Sequence, residues 1–507
     1  MESTIGQMLK TAAQRFGSKP LVIAVDRTLT FEELDRLSTQ FARQLRELGI
    51  QPGDRVTLWL ENGWRWMVAY YGILKLGAIV NPCNIQLTAE EIVFIVHDCG
   101  AKAIIAAHAK AVGLGNRITA LVITDTPAAD RPSDRSLDAL LATDTKGPNV
   151  EPPSLWSDGS SPSTIGYTSG TTGHPKGAVL RHSTILMNTA MTALMHGRTS
   201  SDIVVCALPC THVYGNVVMN SAVLCGMTLV LLPRFDEANV LQTIQNYRAT
   251  VFEGVPTMFM RMLNLPSLDS YDLSSLRLCT VGGQTMPVTK MQEVERRFGC
   301  RLIELWGMTE LGGLGTTHPY NGPRRLGSIG VALPLSEAKV VAMDDPDTEL
   351  PRGEVGELMM RGPLVMQGYF NNEAATHSAI EPDGWMHTGD LVSRDDEGYF
   401  YVVDRAKEVI ISGGYNIYPA ELERIIAQHP AVAMVAVAAM PDALKGQVPK
   451  AFVVPKAGVS CDGSDIIEHC RAHLASYKVP RAVDFLNDLP KTSTGKILRR
   501  MLATSRI

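Results

Sequence analysis

Apolar positions in the first part of the chain recur at helical spacing. They run from Leu34 to Leu48, and Thr30 with Glu33 forms a capping box in front of them. Gly49 follows, a residue that commonly ends helices. A second capping box, Thr88 with Glu91, begins another apolar stretch. The pattern predicts two amphipathic helices in this region.

Short runs rich in apolar residues alternate with these helices and predict buried strands. They lie at 56–60, 101–107, 228–233, 250–255 and 276–283. Strands that alternate with helices favour parallel sheets covered by helices. Residues 126–163 are rich in Pro, Ser and Asp, so we expect a loop or linker there.

The hydrophobic pattern changes twice further along the chain. Residues 203–233 contain no Asp, Glu, Lys or Arg, but Pro and Gly interrupt them. We interpret this stretch as strand, turn, helix and strand in a buried core, and expect no membrane span. Short strands and Gly-rich turns at about 324–403 predict a small β-barrel or sandwich. A unit of mixed strands and helices follows at 404–507.

Composition narrows the function classes. The 507 residues are 45% hydrophobic and 20% charged, typical of a globular protein of several domains. A formal net charge of −5 argues against a nucleic-acid binder. The nine cysteines show no zinc-type spacing, and the N-terminus lacks a signal peptide, so we expect a cytoplasmic protein. The assembly state is left open, a homodimer included.

The stretch YTSGTTGHPKGAVL at 167–180 has the composition of a loop that wraps a phosphate chain. It combines glycines, hydroxyl side chains and Lys176. A Walker loop needs Gly directly before the lysine and a hydroxyl residue directly after it. Here Pro175 precedes Lys176 and Gly177 follows it. The loop therefore predicts phosphate binding of another kind than in P-loop NTPases.

This loop closely resembles the first signature of the adenylate-forming enzymes, which include acyl-CoA synthetases, nonribosomal adenylation domains and luciferases. Six further signatures follow in the family's order: LPCTHVYGN at 208–216, GGQTMP at 282–287, LWGMTE at 305–310, GWMHTGD at 384–390, DRAKEVIISGGYNIYPAELE at 404–423, and PKTSTGKILRR at 490–500. The resemblance covers nearly the whole chain.

The resemblance implies an α/β fold with two domains. The large one, residues 1–403, would hold two doubly wound α/β subdomains and the small β-barrel. The other, residues 404–507, would be a small, mobile α+β domain, with a hinge near Lys407 that lets it move between two half-reactions. The chemistry implied is ligation of an acid to a thiol, through an acyl-AMP formed from ATP with loss of pyrophosphate.

The resemblance also assigns nucleotide contacts. Lys176 and the loop would hold the β- and γ-phosphates, Thr309 the α-phosphate, and Asp390 the ribose, while Lys496 would bridge carboxylate and α-phosphate. Thr172 and Glu310 would hold Mg²⁺, which prefers oxygen ligands. The expected nucleotide-binding set is Thr168, Ser169, Gly170, Thr171, Thr172, Gly173, Lys176, Gly283, Gln284, Glu304, Leu305, Trp306, Gly307, Met308, Thr309, Asp390, Val402, Arg405, Asn416 and Lys496.

The acid and CoA would lie beside the nucleotide. By resemblance, His212 would gate the passage between the two, and Ser412, Gly413, Gly414 and Tyr415 would face CoA. The expected acyl pocket is lined by His212, Tyr214, Gly215, Val218, Gly282, Gly283, Gln284, Trp306 and Gly307. Amino-acid-activating relatives place a carboxylate near here for the ammonium, and 203–233 has none. This favours a medium or long fatty acid or an arylalkanoic acid.

Two departures and two alternatives accompany this interpretation. Gln284 stands where the family has a small residue, and Gln447 where it often has Glu; no role is assigned to Gln447.

The acyl group could pass to a carrier-protein phosphopantetheine instead of CoA, or the protein could be a luciferase-like oxygenase. The small-molecule acid, ATP and CoA are the expected partners.

Overall fold

The computed structural model describes residues 4–126, 135–143, 158–168, 175–413, 415–442, 444–456, 458–459, 461–490, 497 and 499–504. Its helices are α1 (Ile5–Phe16), α2 (Phe31–Glu47), α3 (Trp64–Leu76), α4 (Ala89–Asp98), α5 (His108–Ala111), α6 (Leu137–Ala142), α7 (His182–Met195), α8 (Val213–Cys225), α9 (Glu237–Tyr247), α10 (Pro256–Leu263), α11 (Val288–Phe298), α12 (Glu373–Ala379), α13 (Pro419–Ile426), α14 (Gly463–His473) and α15 (Arg499–Thr504).

The strands, in chain order, are β1 (Pro20–Ile23), β2 (Thr28–Thr30), β3 (Arg55–Trp59), β4 (Ile79–Pro82), β5 (Ala103–Ala106), β6 (Leu121–Thr124), β7 (Arg135–Ser136), β8 (Pro162–Thr168), β9 (Lys176–Arg181), β10 (Ile203–Cys206), β11 (Thr228–Leu231), β12 (Val251–Gly254), β13 (Leu278–Gly282), β14 (Arg301–Met308), β15 (Gly313–Thr317), β16 (Val331–Ala332), β17 (Glu337–Val341), β18 (Val355–Arg361), β19 (Gly368–Tyr369), β20 (Met386–Arg394), β21 (Phe400–Arg405), β22 (Ile410–Ser412), β23 (Tyr415–Ile417), β24 (Val432–Asp442), β25 (Gly446–Pro455) and β26 (Ala482–Phe485).

Both predicted capping boxes are present. The Thr30 and Thr88 hydroxyls accept from the backbone N–H of Glu33 and Glu91, and each Glu carboxylate accepts from its cap in return. Each box satisfies two backbone donors that a helix start would otherwise leave unpaired. Helix α2 then buries its apolar face, from Phe31 to Leu45. The periodicity therefore predicted these helices correctly.

A large sheet in the order β16-β15-β14-β13-β12-β10-β11-β1-β2 carries one half of the candidate site. Its central strands, from β14 to β1, are parallel. Phe252, Phe259 and Phe298 pack with other apolar side chains between this sheet and its helices. Ligands of such sheets bind at the carboxyl ends of the strands. The segments that follow β10, β13 and β14 carry the predicted signatures.

A second sheet runs in the order β19-β9-β8-β4-β3-β5-β6-β7. Strands β8, β4, β3, β5, β6 and β7 are parallel, whereas β9 returns antiparallel to β8 and β19 antiparallel to β9. Trp59, Ile92, Ile104 and Ile165 belong to its apolar core. The β8–β9 hairpin positions the two ends of the predicted phosphate loop.

The region predicted to form a small β-barrel or sandwich contains a four-stranded sheet in the order β17-β18-β20-β21. The following α+β region has β23-β22-β25-β24 with β26 beside β25, and α13 and α14 contribute Leu422 and Ile466 to its core. By internal contacts the chain divides into two compact units, Met1–Glu337 with Met360–Met386, and Ala338–Met359 with His387–Ile507. The boundary at residues 403 and 404 stays a prediction.

The prediction of a loop or linker over 126–163 is wrong in its middle and at its end. Strand β7 and helix α6 occupy 135–142, and β8 begins at Pro162. The Ser136 hydroxyl caps α6, Leu137 is buried, and Arg65 pairs with Asp138 at 2.8 Å, so a helix forms here although its six residues are too few to show a periodicity. Residues 127–134 and 144–157 lie outside the described residues.

The uncharged stretch 203–233 forms β10, α8 and β11, as predicted. Within the part of the chain that the structure describes, no helix is both long and apolar enough to cross a membrane.

Candidate active site

The β8–β9 hairpin holds the ends of the predicted phosphate loop together. Thr168 and Lys176 are register partners, and the Thr168 hydroxyl donates to the Lys176 carbonyl at 3.4 Å. The loop therefore leaves and re-enters the sheet at adjacent positions. Five predicted phosphate-binding residues lie outside the described residues: Ser169, Gly170, Thr171, Thr172 and Gly173.

Tyr369 connects the lysine of this hairpin with Glu310. Its hydroxyl donates to Glu310 Oε1 at 2.9 Å, and Lys176 Nζ lies 5.3 Å from the centre of its ring. Burial and the Glu310 carboxylate raise the pKa of Tyr369, so the phenol stays protonated and remains a donor. The pairing of β19 with β9 brings Tyr369 here across more than 190 residues of sequence. Sequence reasoning missed this residue, although the aromatic in QGYF was a signal.

The WGMTE signature ends strand β14 and begins a short 3₁₀ turn at Thr309–Leu311. Glu310 and Trp306 are buried, while Thr309 is half-buried. A side chain at Gly166 on β8 would lie 2.7 Å from the Thr309 methyl carbon. The glycine therefore permits close approach of the strand that precedes the phosphate loop and the residue predicted to contact the α-phosphate.

We expect Gly166→Ala to reduce acyl-AMP formation about tenfold, because the new methyl group would displace Thr309. The measurement is ATP–pyrophosphate exchange at saturating acid. The matched control is Gly113→Ala, whose Cβ would lie 3.4 Å from the Ala89 Cβ, an ordinary contact distance. Equal activity in the two variants would contradict this packing argument.

Glu304 is a carboxyl group with little compensation for its burial. It is 6% exposed and accepts a hydrogen bond from the Gly327 backbone N–H at 2.8 Å. Burial raises the pKa of Glu304 to about 8. Near neutral pH the side chain is therefore mostly protonated and can donate as well as accept, which suits a contact to a neutral heterocycle.

Because the pKa of an unfolded Glu is about 4.3, the folded protein keeps the Glu304 proton over a pH range in which the unfolded chain has lost it. Folding stability should therefore fall as the pH rises from about 4.3 to about 8. We expect Glu304→Gln to match wild type at pH 4, where Glu304 is protonated in the folded chain and mostly so in the unfolded chain, and to exceed its unfolding midpoint progressively up to pH 8. Exposed Glu354→Gln is the control, and a pH-independent difference would contradict the assignment.

His212 begins helix α8 and lies on a segment that Asn62 fixes in place. The His212 Nδ1 accepts from the Tyr214 backbone N–H at 3.3 Å. The Asn62 amide donates to the Leu208 carbonyl at 2.8 Å and accepts from the Cys210 N–H at 2.9 Å. Asn62 therefore stabilises the turn at 208–210 that precedes His212 and positions its side chain. Sequence reasoning did not identify it, since its partners lie almost 150 positions away.

Helix α8 is also anchored from α3. The Tyr70 hydroxyl donates to Asn216 at 3.3 Å and the Tyr71 hydroxyl to Asn220 at 2.9 Å. Burial raises the pKa of Tyr70 to about 12, so this phenol remains a donor. These bonds pair the two buried asparagines of α8 with phenols of α3, and so fix the helix that carries the predicted acyl pocket.

A cavity of about 490 Å³, its open mouth included, brings several of these elements together. No charged side chain lines it among the described residues. Its walls come from β4, β8, β9, α7, α8 and the 3₁₀ turn: Pro82, Thr164, Gly166, Tyr167, Leu180, Ile185, Thr211, His212, Val213, Asn216, Thr309 and Gly312. The structure therefore places two predicted residues, His212 and Thr309, around one cavity.

The other predicted pocket and nucleotide residues of this unit lie on α8, at the carboxyl ends of β13 and β14, or directly after β13. Buried ones are Tyr214, Gly215, Val218, Gly282, Leu305 and Trp306; Met308 is half-buried; Gly283, Gln284 and Gly307 are exposed. An exposed Gln284 amide could therefore reach a ligand.

In the second unit, Asp390 and Arg405 bind each other. They are register partners of β20 and β21, and Arg405 Nε lies 3.0 Å from Asp390 Oδ1. Asp390 is 5% exposed, whereas Arg405 and Lys407 are exposed and Val402 is half-buried. The guanidinium thus orients the carboxylate that we expect to contact ribose.

The predicted CoA segment is a β-hairpin. Strands β22 and β23 pair Ser412 with Tyr415, and Gly413 adopts the left-handed φ of 57° that the turn requires. The exposed Tyr415 ring stacks on Tyr477 at 4.6 Å. Gln447 accepts from the Ile411 N–H at 3.1 Å and so supports this hairpin. Asn416 is exposed, and Gly414 lies outside the described residues.

Lys496 also lies outside the described residues. Arg499, three positions later, is anchored by carboxylates of its own unit. Its Nε and one terminal nitrogen contact Glu423 at 2.9 and 2.6 Å, and the other terminal nitrogen contacts Glu408. Asp404 lies 3.8 Å from the same guanidinium.

Comparison with known families agrees with these signatures. The family model of AMP-binding enzymes matches residues 9–370, and that of the AMP-binding enzyme C-terminal domain matches residues 421–496. The chain belongs to the AMP-binding enzyme family.

This AMP-binding enzyme is similar to named CoA ligases over nearly its whole length. It is 34% identical to the long-chain-fatty-acid–CoA ligase of Bacillus subtilis (strain 168), covering 98% of this chain and 94% of the relative. A Mycobacterium tuberculosis CoA ligase named for a methyl-dioxo-octahydroindenyl propanoyl group is 34% identical, with 98% of both covered. ATP-bound MatB from Rhodopseudomonas palustris superposes with a TM-score of 0.90 at 29% identity, covering 99% of this chain and 98% of MatB.

The relatives identify this AMP-binding enzyme as an AMP-forming acid–CoA ligase with the fold that the resemblance implied. ATP and CoA are the co-substrates of this reaction. Its acid is not identified by these relatives, since their names describe different acyl groups.

Glu310 fits the Mg²⁺ that the family resemblance implies. In the part of the chain that the structure describes, no cluster of three or more His, Cys, Asp or Glu side chains could hold a metal. Mg²⁺ in nucleotide sites usually takes one or two carboxylates and completes its shell with phosphate oxygens and water. A single buried carboxylate oriented by Tyr369 is therefore a suitable donor set.

Proposed function

We propose that this AMP-binding enzyme ligates a medium- or long-chain fatty acid, or an arylalkanoic acid, to CoA. The observation that carries the proposal is the uncharged, buried surface of α8, where Tyr214, Gly215 and Val218 lie. Such a surface favours an apolar acyl group, because a charged substituent would lose its hydration without gaining a partner. The names of the relatives, a long-chain fatty acid and a ring-bearing propanoyl group, support both options.

A buried carboxylate near Tyr214 does not change this proposal. Hydrogen bonds connect Tyr214 to Thr280 and Thr280 to Glu253. Glu253 is paired with Arg198 at 2.5 Å, and the side chains of this ion pair are 0% exposed. Its charge is therefore already neutralised. An amino-acid substrate would need an uncompensated carboxylate for its ammonium group.

In the first half-reaction, we propose that Lys176 and the loop hold the pyrophosphate portion of ATP while Thr309 contacts the α-phosphate. Asp390, oriented by Arg405, would accept from the ribose hydroxyls. Lys496 would bridge the acid carboxylate and the α-phosphate, two anions that otherwise repel each other. Mg²⁺ held by Glu310 and Thr172 would neutralise charge on the phosphates.

In the second half-reaction, we propose that the thiolate of CoA reaches the acyl carbonyl carbon of acyl-AMP along a passage gated by His212, and that the bond to AMP breaks so that AMP leaves as the thioester forms. The hairpin with Ser412, Gly413, Gly414 and Tyr415 would then face CoA. Lys407 is exposed and would act as the hinge of this change. Asn62 would keep the gate in position through its two bonds to the 208–210 segment.

The test is a panel of acids: acetate, octanoate, palmitate, benzoate, cinnamate and hydroxylated forms, with amino acids beside them. Pyrophosphate release is measured with and without CoA, and acyl-CoA by mass. We expect the highest kcat/KM for an apolar acid of medium or long chain or with an aryl group, and formation of its CoA thioester. Activity confined to amino acids or to acetate, or acyl-AMP without thioester, would contradict the proposal. In the last case, a phosphopantetheine carrier protein would be the acceptor to test.

A further inference from the structure

The phenol of Tyr214 is tied to a chain of buried polar side chains. The Tyr214 hydroxyl oxygen lies 2.5 Å from Thr280 Oγ1, and the Thr280 hydroxyl donates to Glu253 Oε2 at 2.6 Å. A threonine hydroxyl has one proton, so Thr280 must accept from Tyr214. The chain of bonds therefore runs in one direction, from the phenol to the carboxylate.

The carboxylate at the end of this chain is part of a completely buried ion pair. Glu253 Oε1 contacts the Arg198 guanidinium at 2.5 Å, and both side chains are 0% exposed. Such a pair is expensive to desolvate and is a poor source of stability compared with apolar residues of similar size. The ion pair instead fixes the position of the Glu253 carboxylate, because a buried Glu253 separated from Arg198 would be an unpaired charge.

The chain continues from Arg198 to the strand that carries WGMTE. Arg198 contacts His196 Nδ1 at 3.3 Å, His196 Nε2 contacts the Thr317 hydroxyl at 2.9 Å, and that hydroxyl donates to the Glu304 carbonyl at 3.2 Å. Burial lowers the pKa of His196, so the ring is neutral and donates from Nε2. Helix α8 and strand β14, with Trp306 two residues later, are thus joined by hydrogen bonds.

We propose that Thr280, Glu253 and Arg198 are positioning residues that hold the Tyr214 ring as a fixed wall of the acyl pocket and thereby determine which acids fit. The inference rests on the proposed function, in which Tyr214 lines that pocket. Because the hydroxyl is used inside the protein, the ring offers the substrate an apolar face. Because it is bound at the far end of the side chain, the ring cannot swing aside for a longer or wider acid.

Two conservative variants test this. Thr280→Val removes the acceptor with little change in shape, and Tyr214→Phe removes the donor while Thr280 keeps its bond to Glu253. The selectivity ratio is kcat/KM for the acid that wild type prefers, divided by kcat/KM for an acid just above or below it in length or ring size. In both variants this ratio should fall about fivefold, mainly through KM. Thr280→Ser, which keeps the hydroxyl, should retain the wild-type ratio.

A double-mutant cycle separates positioning from general damage. If the two residues act through one bond, Tyr214→Phe with Thr280→Val should change the ratio no more than either substitution alone. The control is Thr124→Val, which removes a buried hydroxyl on β6 and should leave the ratio unchanged. Unchanged selectivity in both single variants, additive effects, or an equal change in Thr124→Val would overturn the inference.

The wild-type acid panel keeps this inference distinct from the proposed function. If wild type prefers an apolar acid and the variants retain its ratio, the positioning role fails and the function stands. If wild type activates only amino acids, the proposed function fails, and with it the pocket in which Tyr214 would serve. Thermal unfolding of each variant, compared with wild type, identifies loss of folding.

Discussion

Replacing Lys496 with alanine is expected to abolish adenylation while largely sparing the second half-reaction. ATP–pyrophosphate exchange should fall by at least ~10²-fold, because the lysine would supply the cation between the acid carboxylate and the α-phosphate during the first step. Thioester formation from supplied acyl-AMP should stay close to wild type, since the repulsion between these two anions has then already been overcome. Both rates are measured on the same preparation with the acid that the panel selects.

The control for this prediction is Lys456→Ala, which removes another lysine of the same unit that bonds only the Pro430 carbonyl among the contacts described. It should leave both half-reactions unchanged. Full exchange activity in Lys496→Ala would refute the role of this lysine. Loss of both half-reactions together would show that the residue is not specific to adenylation.

The fold was predictable where local signals agree with burial. The capping boxes at Thr30 and Thr88 and the apolar runs of β11, β12 and β13 are short-range features, and each predicts its element without knowledge of its neighbours. The prediction failed at α6, because this helix has only six residues, too few to show a periodicity, and lies in a surrounding rich in Pro, Ser and Asp. Asp138 of that helix pairs with Arg65, a tertiary contact that local sequence does not show.

The candidate site shows the same division between local and long-range information. The signatures identified Glu310 and His212, but their supports, Tyr369 and Asn62, are distant in sequence and meet them only through the sheets. A single sequence contains no pairing information over such distances. Thr280 likewise looks like an ordinary strand residue until the register of β13 shows what it touches.

Glu310→Gln is expected to reduce adenylation about 10²-fold and to weaken the preference for magnesium-bound ATP. Glutamine keeps the shape and can still accept from the Tyr369 hydroxyl, but it removes the negative charge that a hard cation needs. ATP binding measured by calorimetry with Mg²⁺ and with EDTA should differ strongly in wild type. The difference should shrink in the variant.

Tyr369→Phe is the matched comparison, because it removes the donor to Glu310 and leaves the carboxylate charge in place. A ligand role for Glu310 requires that this variant keep most of the Mg²⁺ preference and lose no more than about tenfold in adenylation, since only the orientation of the carboxylate is relaxed. If Glu310→Gln retained the wild-type difference between Mg²⁺ and EDTA, the carboxylate would not be a metal ligand. Its burial against Tyr369 would then serve to position Thr309, and both variants should lose activity equally.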